Sequence, residues 1–280
     1  MKLAVAKPSA AKPVLGAALT LDMLELHRGW MLAAPRDLEL QSFCLPHVLN
    51  GDLSVPIARA KKLIDGLEGR IGIHGPYVGF SIDTADPDVA VIVQKRMLKA
   101  LEVCEALMAD QMVIHSPITS WDHGNQMASA HDAMIQIERV RFTLGPVLKR
   151  AEDTGVGLVL ENIEDIDPAA RCRMVDALNS PALKVSLDTG HAQYAHVTTA
   201  APPVDAYVMA AGKRLDHVHL QDSDGFADRH WHPGDGPLNW RAIFTALHAL
   251  PKMPRLILEV NDLRHVRRGA ENLAALGLAE

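Results

Sequence analysis

What most restricts this chain is a rhythm of short aliphatic runs, each ending in a side chain that can bind a cation. From residue 70 onward there are six: 70–74 (RIGIH), 111–115 (QMVIH), 157–161 (GLVLE), 183–188 (LKVSLD), 215–219 (LDHVH) and 255–259 (RLILE). Each is short, mostly aliphatic and bounded by turn or polar residues, as a buried strand would be. Helical spacing fills the intervals. Asp86 before Pro87 reads as an N-cap with a first-turn proline, and Ala90, Val93, Met97, Leu101, Cys104 and Met108 continue a helix to about Asp110. A second helix is expected over 128–152, stopped by Gly155, with shorter ones over 168–178, 204–211 and 240–250 and a last one after Arg268. Upstream, 37–43 (DLELQSF) reads as strand two, and either 2–6 or 17–21 as strand one. Strands alternating with helices imply βαβ units and a parallel sheet, and eight of them in 280 residues predict an α/β fold, a (β/α)8 TIM barrel. No low-complexity linker divides the chain, so residues 1–280 are expected to form a single domain with an ample core, 48% of the residues being hydrophobic.

The runs end in His74, His115, Glu161, Asp188, His219 and Glu259. In a parallel barrel the C-terminal strand ends open on one face, so these six side chains should surround one cavity. One such residue after a strand is ordinary; six at corresponding positions form a pattern. His191 follows Asp188 closely enough, in DTGH, to ligate beside it. Asp228 and His230, in the loop containing ADRHWHPGDG, could face one ion together. Imidazole and carboxylate without thiolate favour Zn, Mn, Fe or Co over Ca, and Zn or Mn is the expected cofactor, as one to three ions. Without a cation, so many imidazoles and carboxylates in a low-dielectric cavity would be costly unless all were paired. His217 should face the same side as His219, one layer deeper. Tyr77, His232 and Asp222 are candidates for substrate contact, while His248, inside a helix, is read as non-functional.

Composition narrows the partners. With 28 basic and 34 acidic residues, the formal net charge of -6 offers a polyanion no long-range attraction, so nucleic acid is disfavoured. Cys44, Cys104 and Cys172 form no C-x-x-C pair and suggest neither a disulfide framework nor a thiolate zinc site. Lys7, Pro8, Lys12 and Pro13 interrupt the apolar N-terminus, and no apolar stretch is long enough for a membrane span. The expectation is a soluble, cytoplasmic protein and, if it assembles, a homo-oligomer, most simply a dimer.

The motifs IHGPY, VIHS, LENIE, LDTGHA, HVHLQD and the closing LEV stand in an order that resembles the xylose-isomerase-like TIM-barrel superfamily over residues 70–260. That superfamily contains sugar isomerases and epimerases and also the endonuclease IV type of abasic-site nuclease. The epimerase branch implies one divalent ion held by Glu161, Asp188, His219 and Glu259, with Glu161 and Glu259 also acting as the catalytic acid/base pair. The nuclease pattern adds His74, His115, His191, Asp228 and His230, all present here, and so implies room for two or three ions. DRH followed by Gly234 and Gly236 is also carried by family members described as sugar phosphate isomerases or epimerases. Two features of the nucleases are missing: the glycine-rich continuation after the strand-five Glu, where this chain reads ENIEDIDP, and the N-terminal HVS-type motif.

The expected function is therefore metal-dependent isomerisation, epimerisation or a related enolising step, such as dehydration, on a small sugar or sugar-derived polyhydroxy carbonyl compound. Two alternatives stand beside it. One is an endonuclease IV-like multinuclear zinc phosphodiester hydrolase; the other is a barrel that binds a metal or metabolite without turnover. No glycine-rich loop or basic cluster seats a phosphate, and only Arg229 and Arg264 offer themselves for one.

Overall fold

A computed structural model describes residues 12–125 and 130–280. Eight strands, β1 (Gly16–Leu19), β2 (Leu38–Leu40), β3 (Ile71–His74), β4 (Gln111–His115), β5 (Gly157–Glu161), β6 (Leu183–Asp188), β7 (Leu215–Leu220) and β8 (Arg255–Leu258), pair in sequence order. Every pairing is parallel, and β1 closes the sheet onto β8, which makes a (β/α)8 barrel as the rhythm of runs predicts. Among the described residues no helix is long and apolar enough to cross a membrane.

The register carries the strand ends round the rim. His115 lies opposite Glu161, Glu161 opposite Ser186, and Asp188 opposite His219. The pairing of β6 with β7 slips between Val185 and Ser186. Helices over Pro87–Leu107 and Ala130–Thr154 pack outside the sheet. The Asp86 carboxylate caps the first by accepting from the amides of Asp88 and Val89, and Gly155, at φ +74°, lets the chain leave the second.

The N-terminal third departs from the sequence reading. Strand one begins at Gly16 and ends at Leu19, because Thr20 caps a helix over Leu21–Leu32 that already uses Leu21; the alternative at 2–6 lies outside the described residues, as does the expected helix start at 128. Strand two covers only Leu38–Leu40. Beyond it a 3-10 turn over Gln41–Phe43 drives Phe43 into the core and swings Gln41 towards Glu259. The final ladder stops at Leu258, one residue before Glu259, whose amide still donates to the Leu220 carbonyl at 3.3 Å.

Candidate metal centre

Strand ends and two loops bring the sequence-predicted ligands together. The ligand atoms of Glu161, Asp188, His219 and Glu259 all lie within 4.8 Å of one another, and all four residues are buried. Among the described residues four further groups meet the same distance limit: His74 with His115 and Glu161, His191 with Asp228 and His230, Glu39 with His217 and His219, and Glu39 with His74 and Glu259. His219 Nδ1 sits 2.9 Å from Glu161 Oε1 and 3.2 Å from Glu259 Oε2. His191 Nδ1 is 3.7 Å from both Glu161 and Asp188, while its Nε2 approaches Asp228 at 3.3 Å; His230 Nε2 reaches the same Asp228 oxygen at 3.0 Å.

Three of the outer imidazoles are aimed by main-chain atoms. His74 Nδ1 lies 2.9 Å from the Gly75 carbonyl, His191 Nδ1 2.9 Å from that of Asn162, and His230 Nδ1 3.2 Å from that of Glu259. A carbonyl can only accept, so in each ring Nδ1 carries the proton and a neutral ring keeps its lone pair on Nε2. His74 Nε2 and His115 Nε2 are 3.4 Å apart and stand 3.9 and 3.7 Å from Glu161 Oε2, a buried oxygen without a hydrogen-bond partner. Two imidazole nitrogens and an unpartnered carboxylate oxygen converging in a buried pocket fit a divalent cation better than a network of ordinary hydrogen bonds.

The electrostatics agree with closely packed opposite charges. Burial opposes charge on His219, but Glu259, Glu39 and Glu161 outweigh it and hold the imidazolium well above its usual range. Burial likewise works against Glu161, yet His219 keeps that carboxyl well below the ordinary value. His115 is the opposite case, since burial pushes it down to about 3 despite Glu161 nearby and leaves it a neutral base. For Glu259 burial prevails, and the neighbouring Glu161 charge adds to it, so the carboxyl is raised.

Several residues that complete the centre carry no mark in the strand-end pattern. Gln221, fully buried, donates to both Asp188 oxygens at 3.0 and 3.2 Å and to Asp228 at 3.3 Å, and its carbonyl oxygen accepts the His230 amide. Asn162 brackets the Asp188 backbone, donating to its carbonyl and accepting from its amide. Gln41 donates to Glu259 Oε1 at 2.7 Å. Glu39, in the middle of β2, lies under His219 with both oxygens 3.1 Å from Nε2. A charged residue inside the apolar run LEL was the one signal that could have exposed it.

The three candidates for substrate contact fall in different places. The Tyr77 ring stacks on His115 with 4.2 Å between centroids, at the edge of the cluster. Asp222 is engaged otherwise: its carboxylate accepts from the amides of Ser223, Gly234 and Leu238 and from Trp240 Nε1, tying down the loop that bears Asp228 and His230. His232 is buried with neither ring nitrogen hydrogen-bonded, and Asp262 is 3.8 Å from its Nε2. His217 stands below His219, its Nδ1 2.8 Å from the Ser186 hydroxyl, as the two-residue strand spacing predicts.

The sequence model of the family described as Xylose isomerase-like TIM barrel matches residues 39–276. An uncharacterized protein of Methanocaldococcus jannaschii is 23% identical over 220 residues, 76% of this chain and 71% of that protein. Fructoselysine 3-epimerase of Escherichia coli O157:H7 is 31% identical over 110 residues, a segment that spans 38% of this chain and 38% of the epimerase. Among solved structures, the TTHB071 protein of Thermus thermophilus, from a soak with ZnCl2, superposes with a TM-score of 0.72 at 26% identity, covering 94% of this chain and 96% of that one.

Proposed function

This chain belongs to the xylose isomerase-like TIM-barrel family, and from that premise we propose that it is a divalent-metal-dependent isomerase or epimerase of a small sugar-derived polyhydroxy carbonyl compound. The observation that carries the reading is the convergence of Glu161, Asp188, His219 and Glu259 within 4.8 Å, with the Glu161 and Glu259 carboxylates both against one imidazole nitrogen. The partial similarity to a sugar 3-epimerase supports the substrate class, and the zinc-soaked neighbour makes zinc the first ion to try.

Bound by these four side chains, a divalent ion would polarise a substrate carbonyl and offset the negative charge that develops on its oxygen when an adjacent C–H is deprotonated. The proton work falls to Glu161 and Glu259. A cation held between them would keep both carboxylates ionised near neutral pH, which suits a base that takes a proton from carbon. Gln41 occupies Glu259 Oε1 and leaves Oε2 facing His219 and the pocket. The burial of Glu161, Asp188 and His219 keeps bulk water from competing for either proton. Tyr77, over His115, is positioned to flank a substrate at the mouth.

The test is Glu259→Gln. Incubated with candidate ketoses in deuterium oxide, wild-type protein should exchange a carbon-bound hydrogen and interconvert epimers. The variant should lose at least about 100-fold of that rate while keeping its circular dichroism spectrum. Near-normal exchange by the variant would remove the proposal.

A second reading, phosphodiester hydrolysis, is favoured by two of the additional groups, His74 with His115 and Glu161, and His191 with Asp228 and His230. Elemental analysis beside an abasic-duplex cleavage assay separates the two. Three ions with cleavage would replace the isomerase reading.

A further inference from the structure

Glu39 is 2% exposed, on a strand at the opposite end of the chain from the ligands of β5 to β8. A carboxylate there is costly unless its oxygens are engaged. Both oxygens lie 3.1 Å from His219 Nε2, and Oε2 is also 3.1 Å from His217 Nε2, the latter without hydrogen-bond alignment. His219 is thereby the reverse of its neighbours. His74, His191 and His230 give Nδ1 to a main-chain carbonyl, whereas His219 gives Nε2 to a side-chain carboxylate and turns Nδ1 towards Glu161 and Glu259.

We propose that Glu39 is the positioning residue of the centre: by accepting the Nε2 hydrogen of His219, it selects Nδ1 as the ligating nitrogen. The inference rests on the reading that Glu161, Asp188, His219 and Glu259 hold a cation. A carboxylate behind an imidazole fixes the ring's tautomer and orientation and strengthens the other nitrogen as a donor, an outer partner whose loss typically costs about 10- to 100-fold in metal affinity. His217, held by the Ser186 hydroxyl, stands on the other side of the Glu39 carboxylate, its Nε2 3.1 Å from Oε2. Buried beneath His219, Glu39 acts through the ring.

The experiment compares wild-type protein, Glu39→Gln and Glu39→Ala, each stripped of metal and titrated with Zn2+ against a chromophoric chelator and with Co2+ by visible absorption. Glu39→Ala should bind zinc about 10- to 100-fold more weakly with unchanged stoichiometry and an altered Co2+ spectrum. Glu39→Gln, which keeps an acceptor oxygen but no charge, should lose less. Should Glu39→Ala fail to fold, Glu39→Gln carries the comparison. Wild-type affinity and an unchanged spectrum in both variants would overturn the role of Glu39 while leaving the centre intact. Loss of one ion per chain would also overturn it, by making Glu39 a ligand. A wild-type protein that binds neither metal would overturn the centre itself, and this inference with it.

Discussion

Gly190 is pressed against Gln221 so closely that a Cβ at position 190 would lie 2.2 Å from the Gln221 side-chain oxygen. Gln221 holds both oxygens of Asp188 and reaches Asp228, so the glycine of DTGH is the space that lets one amide serve two groups of candidate ligands. Gly190→Ala should displace that amide, leave buried polar atoms unpaired, and cost about 1–3 kcal/mol of stability. Zinc affinity, read by chelator competition, should fall roughly tenfold or more. An alanine variant with wild-type affinity and melting temperature would show that Gln221 has no part in holding the ligands.

Metal binding should release protons near neutral pH. Against the effect of burial, Asp228 holds His230 protonated up to about 9, and burial is similarly overcome by Asp188 and Asp228 at His191. A ligating nitrogen must be bare, so below about pH 9 an ion entering this group displaces a proton. Apparent affinity should therefore rise with pH from neutral through about pH 9. Calorimetric titration at about pH 7 in two buffers of different ionisation enthalpy measures the release directly. Heats that do not depend on the buffer would refute it.

Chelation should destabilise the fold. The carboxylates of Glu161, Asp188 and Glu259 fall in one group of potential ligands and Asp228 in another, and a cation that binds only the folded chain stabilises it by mass action. At about 100 times the dissociation constant this amounts to about 2.7 kcal/mol, or roughly 5 °C or more in melting temperature. A scanning-calorimetry comparison with and without EDTA reads the shift, and superimposable curves would count against an ion in the pocket.

Asp222→Ala should loosen the β7 loop without touching the four-residue group. The substitution strands the Gly234 and Leu238 amides and the Trp240 indole, at roughly 2–3 kcal/mol in a denaturant titration. Ligation by Asp228 and His230 should weaken, while Glu161, Asp188, His219 and Glu259 still bind one ion. Loss of all metal binding in a folded Asp222→Ala protein would contradict this division of labour.

The barrel was legible from residue 70 onward because strands buried on both faces are continuous aliphatic runs, and β4, β5 and β6 have the boundaries the runs predict. The first two strands were harder to delimit for physical reasons. GAAL carries no β-branched residue, and LEL is only three residues long, too little pattern to fix an end. The convergence of the strand-end side chains was readable because parallel strands give corresponding residues one destination. Glu39 escaped the same logic, since it sits in mid-strand and acts through His219. Gln221, Asn162 and Gln41 are uncharged amides whose role depends on spatial neighbours from other elements, and a linear pattern does not encode such proximity.

The three imidazoles whose Nδ1 rests on a carbonyl of Gly75, Asn162 or Glu259 take their bearing from atoms that every amino acid supplies. Replacing the side chains around them leaves these anchors in place. The cage can thus survive while its lining drifts, and what the mouth accepts can change without moving these three rings.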